Sequence, residues 1–162
     1  MRFFILLISL FLTITLHAQP NQPTVKHFWH TVETKSKPEA VWAIWIDVAN
    51  WHKWDTGLKA AEMTNNFALD QKGIITSLEG RKSKFKIVYI EEGRSYTFKT
   101  NLPLGALYVK RYLEEKEGKT QFTHEVWFKG ITSGIFARQF GGKFKEMLPG
   151  VMNNIKEIVE SK

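Results

Sequence analysis

Two side chains in this sequence stand out as able to do chemistry together, Arg111 and His124. They flank Glu117-Gly118, a dipeptide suited to a two-residue hairpin turn. Folding the chain there sets Arg111 beside His124, Leu113 beside Phe122, Val109 beside Val126 and Leu107 beside Phe128. On the other face Lys110 meets Glu125 and Tyr108 meets Trp127. A slip of one residue would invert both faces, so this agreement supports the register. A guanidinium beside an imidazole on an apolar face could hold a ligand carboxylate or phosphate. The imidazole would be a second donor or a general acid/base. The plainer alternative has Arg111 snorkelling to a rim and His124 serving as a satisfied core residue. It gains weight because a buried charge without an anionic partner is costly.

Two further hairpins extend the same face. A turn at Gly80-Arg81 predicts Ile74 opposite Ile87, Thr76 opposite Phe85 and Leu78 opposite Ser83. A turn at Glu92-Gly93 predicts Tyr89 opposite Tyr96 and Ile87 opposite Phe98, with Lys86 facing Lys99 outside. Tyr89, Tyr96, Thr76 and Ser83 could orient a ligand through their hydroxyls, or simply fill the core. Phe85, Phe98, Val109, Phe122 and Val126, joined by Phe140 and Phe144 from the end of the chain, are the expected apolar ligand contacts. Trp51 and Trp54 could line an entrance or plug the sheet end. Asp47 and Asp55 lie near helix ends, where capping or solvation explains them more simply than catalysis. No catalytic residue is assigned. His27 and His30 are three apart on a strand and point to opposite faces, and His52 stands alone, so no metal site is expected. With no nucleotide-binding glycine loop or nucleophile elbow, no cofactor is expected either.

The elements that must position these residues can be read along the chain of 162 residues. Arg2, an apolar run from Phe3 to Leu16, and Ala18 have the form of a secretory leader ending at residue 18, too short to span a bilayer. An uncleaved anchor is the alternative. Residues 19–24 form a Pro/Asn/Gln tether, and 25–162 one domain with room for a real core. There are no cysteines, which excludes disulfides and a thiol nucleophile. The formal charge is +7. Lys82, Lys84 and Lys86 alternate along one outer strand face, where solvated lysines also guard against aggregation. Nucleic acid is therefore not expected as a partner, whereas an anionic membrane surface or acidic ligand fits the charge better. Val25 to Thr34 reads as a strand. Ser36 to Asp55 carries four of the six tryptophans and reads as a helix breaking into a shorter one, with Pro38 in its first turn. Leu58 to Thr64 is a second strand, and the hairpins above supply five more. Phe136, Phe140, Phe144, Leu148, Val151, Ile155 and Ile158 make one helical stripe from Ser133 to Glu160. Gly141-Gly142 and Pro149-Gly150 weaken it, with a kink expected at Pro149. A curved antiparallel sheet with one apolar face should wrap this helix and leave a cavity between them.

With that order in view, the sequence resembles the START-like superfamily, also described as SRPBCC or polyketide cyclase/dehydrase-like. The likeness rests on Pro38-Glu39-Ala40-Val41-Trp42, Asp47, Trp51, Trp54-Asp55, the Gly118-Lys119-Thr120 hairpin and the terminal amphipathic helix. It implies an α+β helix-grip fold, with seven strands curved around a long C-terminal helix and two short helices after the first strand. It also implies an internal pocket for an apolar ligand. One activity does not follow, since function lives in sites grafted onto folds. The expectation is binding, transport or sequestration of a hydrophobic small molecule or lipid, outside the cytoplasm. The alternatives are a cyclase- or hydrolase-type enzyme using the same cavity, with His124 as acid/base, and an interaction module whose cavity is vestigial. Oligomeric state is left open.

Overall fold

A computed structural model describes residues 22–161. The leader expected at residues 1–18 and the first part of the tether lie outside the described residues. Near the tether's end, Thr24 N donates to His27 O at 2.8 Å and Lys145 Nζ reaches Pro23 O at 2.9 Å.

Seven strands form one antiparallel sheet: β1 (His27–Thr34), β2 (Leu58–Met63), β3 (Lys72–Ser77), β4 (Lys82–Glu91), β5 (Ser95–Leu102), β6 (Gly105–Lys116) and β7 (Lys119–Gly130), in the order β1-β7-β6-β5-β4-β3-β2. Between β1 and β2 stand α1 (Pro38–Ile46) and a 3-10 helix (Val48–Lys53). Pro38 opens α1 after Lys37, with no side-chain cap. The Ser36 hydroxyl donates to Val159 O at 3.0 Å, tying this corner to the end of the chain. After β7 come α2 (Ser133–Phe136), a π turn (Ala137–Gly141) and α3 (Gly142–Glu160), which continues through Pro149. Phe28, Trp45, Trp51, Phe122, Met152 and Ile155 anchor the core that joins helix to sheet. The grip has one tight crossing: a Cβ on Gly141 would lie 2.0 Å from Val25 O, so only glycine lets the helix pass the start of the sheet. This is the START-like helix-grip architecture.

The β6–β7 hairpin has the expected register throughout, with Arg111 opposite His124 and Leu113 opposite Phe122. Two other pairings differ. The β3–β4 turn has three residues, Leu78-Glu79-Gly80, with Gly80 at φ +81° and Ser77 N donating to Arg81 O at 2.9 Å. The longer loop pairs Ile74 with Lys84 and Ile75 with Ser83, an odd slip that turns β3 over. Ile75 and Ser77 therefore face inward, while Ile74, Thr76 and the exposed Leu78 do not. Between β4 and β5, Ile87 opposes Phe98 as expected, but a bulge follows at Val88 and Tyr89 meets Thr97. The extra residue rotates the rest of β4 to the other face. Tyr89 ends up 47% exposed, with its hydroxyl on Glu91 at 3.2 Å.

Candidate functional site

Between the inner sheet face and the terminal helix lies a cavity of about 320 Å³. Phe28, Phe98, Val109, Val126 and Phe128 form its sheet wall, and Phe140, Phe144, Met147, Leu148 and Val151 its helix wall. These residues face each other because each strand alternates apolar with polar and the helix presents one stripe. At the β3–β4 turn Glu79 lies 3.7 Å from Lys143 and 3.9 Å from Arg81. Such exposed pairs contribute little. Among these apolar walls the polar groups are Arg111, His124, Trp51 and Asp55, together with Ser77, Glu79, Arg81, Ser83, Thr100 and Lys143.

Arg111 is 1% exposed. Its guanidinium carbon sits 4.7 Å from the Trp51 ring and 4.6 Å from Trp54, with Tyr96 at 5.6 Å and Phe98 at 5.7 Å. The negative faces of four rings thus substitute for water around the cation. Nη1 donates to the Tyr96 hydroxyl, which donates on to Trp45 O at 3.3 Å. Trp51 Nε1 donates to that same carbonyl at 2.9 Å, so α1 and the 3-10 helix fix the cage from one backbone atom. Nε reaches His124 Nδ1 over a long 3.5 Å, which assigns the histidine proton to Nε2. Among the described residues, no carboxylate lies within 4.0 Å of the guanidinium, and neither Nη2 nor His124 Nε2 has a hydrogen-bond partner.

Proton affinities follow from this enclosure. Burial, and then the Arg111 charge, drive the His124 pKa well below its usual value, so its imidazole is neutral near pH 7. Burial pushes the Tyr96 hydroxyl up to about 12, against the pull of Arg111. Asp55, whose Oδ1 accepts from Gly57 N at 3.0 Å, has its pKa raised by burial, with Arg111 pulling the other way.

Of the expected ligand contacts, Arg111, His124, Phe98, Val109, Val126, Phe140 and Phe144 line the cavity, as does Ser83. Four do not. Tyr89 is turned out by the bulge. Phe85 is covered by Trp51, stacked at 5.4 Å, and Phe122 by Trp45 at 6.2 Å. Tyr96 is wholly buried beneath Trp42 and Trp45 and reaches the site only through Arg111. All three lie where the short helices close the grip. Asp55 makes the local contact that capping predicts, through Gly57 N, and lines the cavity as well; Asp47, which accepts from Asn50 Nδ2 at 2.7 Å, is a local turn residue. Trp51 and Trp54 sit three apart on one helical turn, a spacing that places both indoles on one face. The cation that they hold comes from a strand far along the chain. Among the described residues no three His, Cys, Asp or Glu converge on a metal position, and no helix is long and apolar enough to cross a membrane.

The family model for polyketide cyclase/dehydrase and lipid transport matches residues 26–160. The chain belongs to this family. Its fold recurs in a protein from Arthrobacter aurescens (19% identity, 87% of this chain and 91% of that one, TM-score 0.66). It recurs too in a hypothetical protein from Helicobacter pylori (8% identity, 86% and 90%, TM-score 0.70). A START superfamily protein from Mycobacterium smegmatis is similar as well (13% identity, 83% and 97%, TM-score 0.60). Likeness at these identities establishes the fold alone. No curated protein sequence matches the chain. Hydrophobic-ligand binding and cyclase-like chemistry are both consistent with the polyketide cyclase/dehydrase and lipid transport family.

Proposed function

We propose that this protein binds and carries or sequesters one hydrophobic small molecule or lipid with an acidic or strongly hydrogen-bond-accepting end, the apolar body in the cavity and the head on Arg111 and His124. The observation that carries this reading is the buried Arg111 guanidinium, which lines a mainly apolar cavity without an ion-pair partner among the described residues. A charge so placed is costly to bury unless an anion meets it. Neutral His124, with a proton on Nε2, is suited to be a second donor to the same head. A volume of about 320 Å³ is near the lower end of small-molecule pockets, about 300–1,000 Å³, and suits one chain or ring system. The leader-like run at residues 2–18 supports an extracytoplasmic place of action.

A second reading, an acid/base enzyme on the same cavity, draws support from Asp55. A carboxyl whose pKa is raised by desolvation, against the pull of Arg111, and an imidazole whose pKa is lowered line the same cavity, the divided proton affinities that acid/base catalysis uses. Native mass spectrometry of protein isolated from its host separates the two. A stoichiometric co-purifying acid supports carriage. Empty protein that turns over polyketide or ester substrates, and loses that turnover on Asp55→Asn, supports catalysis and refutes carriage.

A further inference from the structure

The antiparallel order places the start of β1, the β3–β4 and β5–β6 turns and the exit from β7 along one edge of the sheet. Six of the nine exposed large apolar side chains among the described residues belong to this rim or to the helix starting from it: Val25, Leu78, Leu104, Ile131, Ile135 and Phe144. Leu104 and Ile131 stand 72% and 87% exposed on loops bound to each other, Ile131 N donating to Leu104 O at 3.0 Å and the Thr132 hydroxyl to Pro103 O. These tips are held in place, so their exposure is a fixed feature of the fold.

Charge is divided along the same axis. The segments 95–113 and 126–145, which supply most of the rim, contain no Asp or Glu, while Lys129, Arg138, Lys143 and Lys145 stand exposed around it. Glu79 is the acid of the β3–β4 turn, and it lies within ion-pair distance of Lys143 and Arg81. The turns at the opposite edge carry Glu91, Glu92, Glu114, Glu115 and Glu117 against Arg94, Lys116 and Lys119, a net acidic balance. The molecule thus has one greasy, cationic end and one acidic end. Phe140, Lys143 and Phe144 of the rim helix also line the cavity.

From this coincidence we infer that the rim docks on an anionic lipid bilayer, with Leu104, Ile131 and Ile135 entering the interface and Lys129 and Arg138 resting on the headgroups. Apolar tips that project separately from several loops find partners in a fluid interface without needing a shaped complement. The surrounding cations match the negative surface potential of anionic lipid. A protein partner would instead favour a flatter patch with charge depleted from its centre. The inference stands independently of what fills the cavity.

The chain has no cysteine, so single labelling sites can be introduced cleanly. Leu104→Cys, Ile131→Cys and, at the acidic end, Glu115→Cys are each tagged with an environment-sensitive fluorophore. All three positions are exposed and outside the cavity wall. With phosphatidylcholine vesicles containing phosphatidylglycerol, the labels at 104 and 131 are expected to shift to the blue and the label at 115 to stay unchanged. Pure phosphatidylcholine should give a weak shift. The pair Lys129→Glu and Arg138→Glu should lower vesicle partitioning at least about tenfold, an effect that salt also produces in the unaltered chain. Because the label reports local depth, attachment through residues 3–16 alone would leave it unshifted. Unshifted rim labels on anionic vesicles overturn the inference. A shift at 115 equal to that at 104 and 131 does so as well. Rim labels that shift with protein concentration in the absence of lipid would overturn it in favour of a second copy of the chain.

Discussion

Replacing Arg111 with methionine separates a ligand contact from an internal tie. The substitution keeps an unbranched stem and removes the charge. Several kcal/mol of desolvation are relieved with the guanidinium. Against this, four ring faces between 4.6 and 5.7 Å are lost, each about 0.5–2 kcal/mol. The charge-assisted bond to the Tyr96 hydroxyl adds about 1.5–3 kcal/mol. Tyr96 keeps its donation to Trp45 O, so its hydroxyl is not orphaned. The opposing effects are of similar size, and the net change should stay within about 2 kcal/mol in either direction, a Tm shift below about 8 °C. Ligand binding has no such offset. A ligand carboxylate stripped of its buried partner should lose about 2–5 kcal/mol, at least about 30-fold in Kd. Isothermal titration of a medium-chain carboxylic acid and its primary amide reads this directly. The acid should weaken by that factor in Arg111→Met while the amide changes less than about threefold. Arg111→Lys, which keeps the charge but not the planar fork, should fall between. Equal losses for acid and amide would refute the head-group assignment. So would a variant that loses more than about 4 kcal/mol of stability, since the cation would then be a structural tie.

The remaining predictions concern packing, pH and space. Gly141→Ala should destabilise by about 1–3 kcal/mol because its Cβ meets Val25 O, whereas Gly142→Ala, with nothing within 4 Å, should gain about 0.5–1 kcal/mol of helix propensity. Thermal melts of the two variants should move in opposite directions. His124 has a folded pKa below its usual 6.5. The unfolded chain therefore binds a proton that the native state refuses, and stability falls as the pH drops below about 6.5, by up to about 1.4 kcal/mol per unit. Urea titrations should show that slope in the parent and its absence in His124→Gln. Tyr96, raised to about 12, holds its proton after the unfolded chain has lost it, so its contribution declines between pH 10 and about 12. Tyr96→Phe should remove that alkaline loss from melts across the same range. Leu107→Trp should occupy the cavity beside Phe128 and weaken the carboxylic acid at least about tenfold, since volume and not charge is removed. Unchanged affinity would place the ligand elsewhere.

How far the site was legible depended on whether neighbouring residues differ in polarity. In β6 and β7, Val109-Lys110-Arg111 and Thr123-His124-Glu125-Val126 alternate strongly enough that only one register keeps lysine off the apolar face, and the Glu117-Gly118 turn agrees with it. In β4 the run Ile87-Val88-Tyr89-Ile90 is apolar throughout, so nothing in it marks the bulge that turns Tyr89 outward. At Gly80 both a two-residue and a three-residue loop use a glycine with positive φ, and the choice reverses β3. Arg111 was detectable as a charge on an apolar strand face. Its surroundings were not: Trp51, Trp54 and Asp55 reach it through docking of the helix pair, a contact across more than fifty residues that no local period encodes. The residues that alternation exposes are therefore those that could face a ligand. Those that only docking assembles, the indoles and the half-buried carboxyl, set how strongly the site holds a charge. For that reason the acid-versus-amide comparison in Arg111→Met, followed by the same pair in Trp54→Leu, bears on both. If the cage tunes the cation, Trp54→Leu should weaken the acid more than the amide while leaving Arg111 in place.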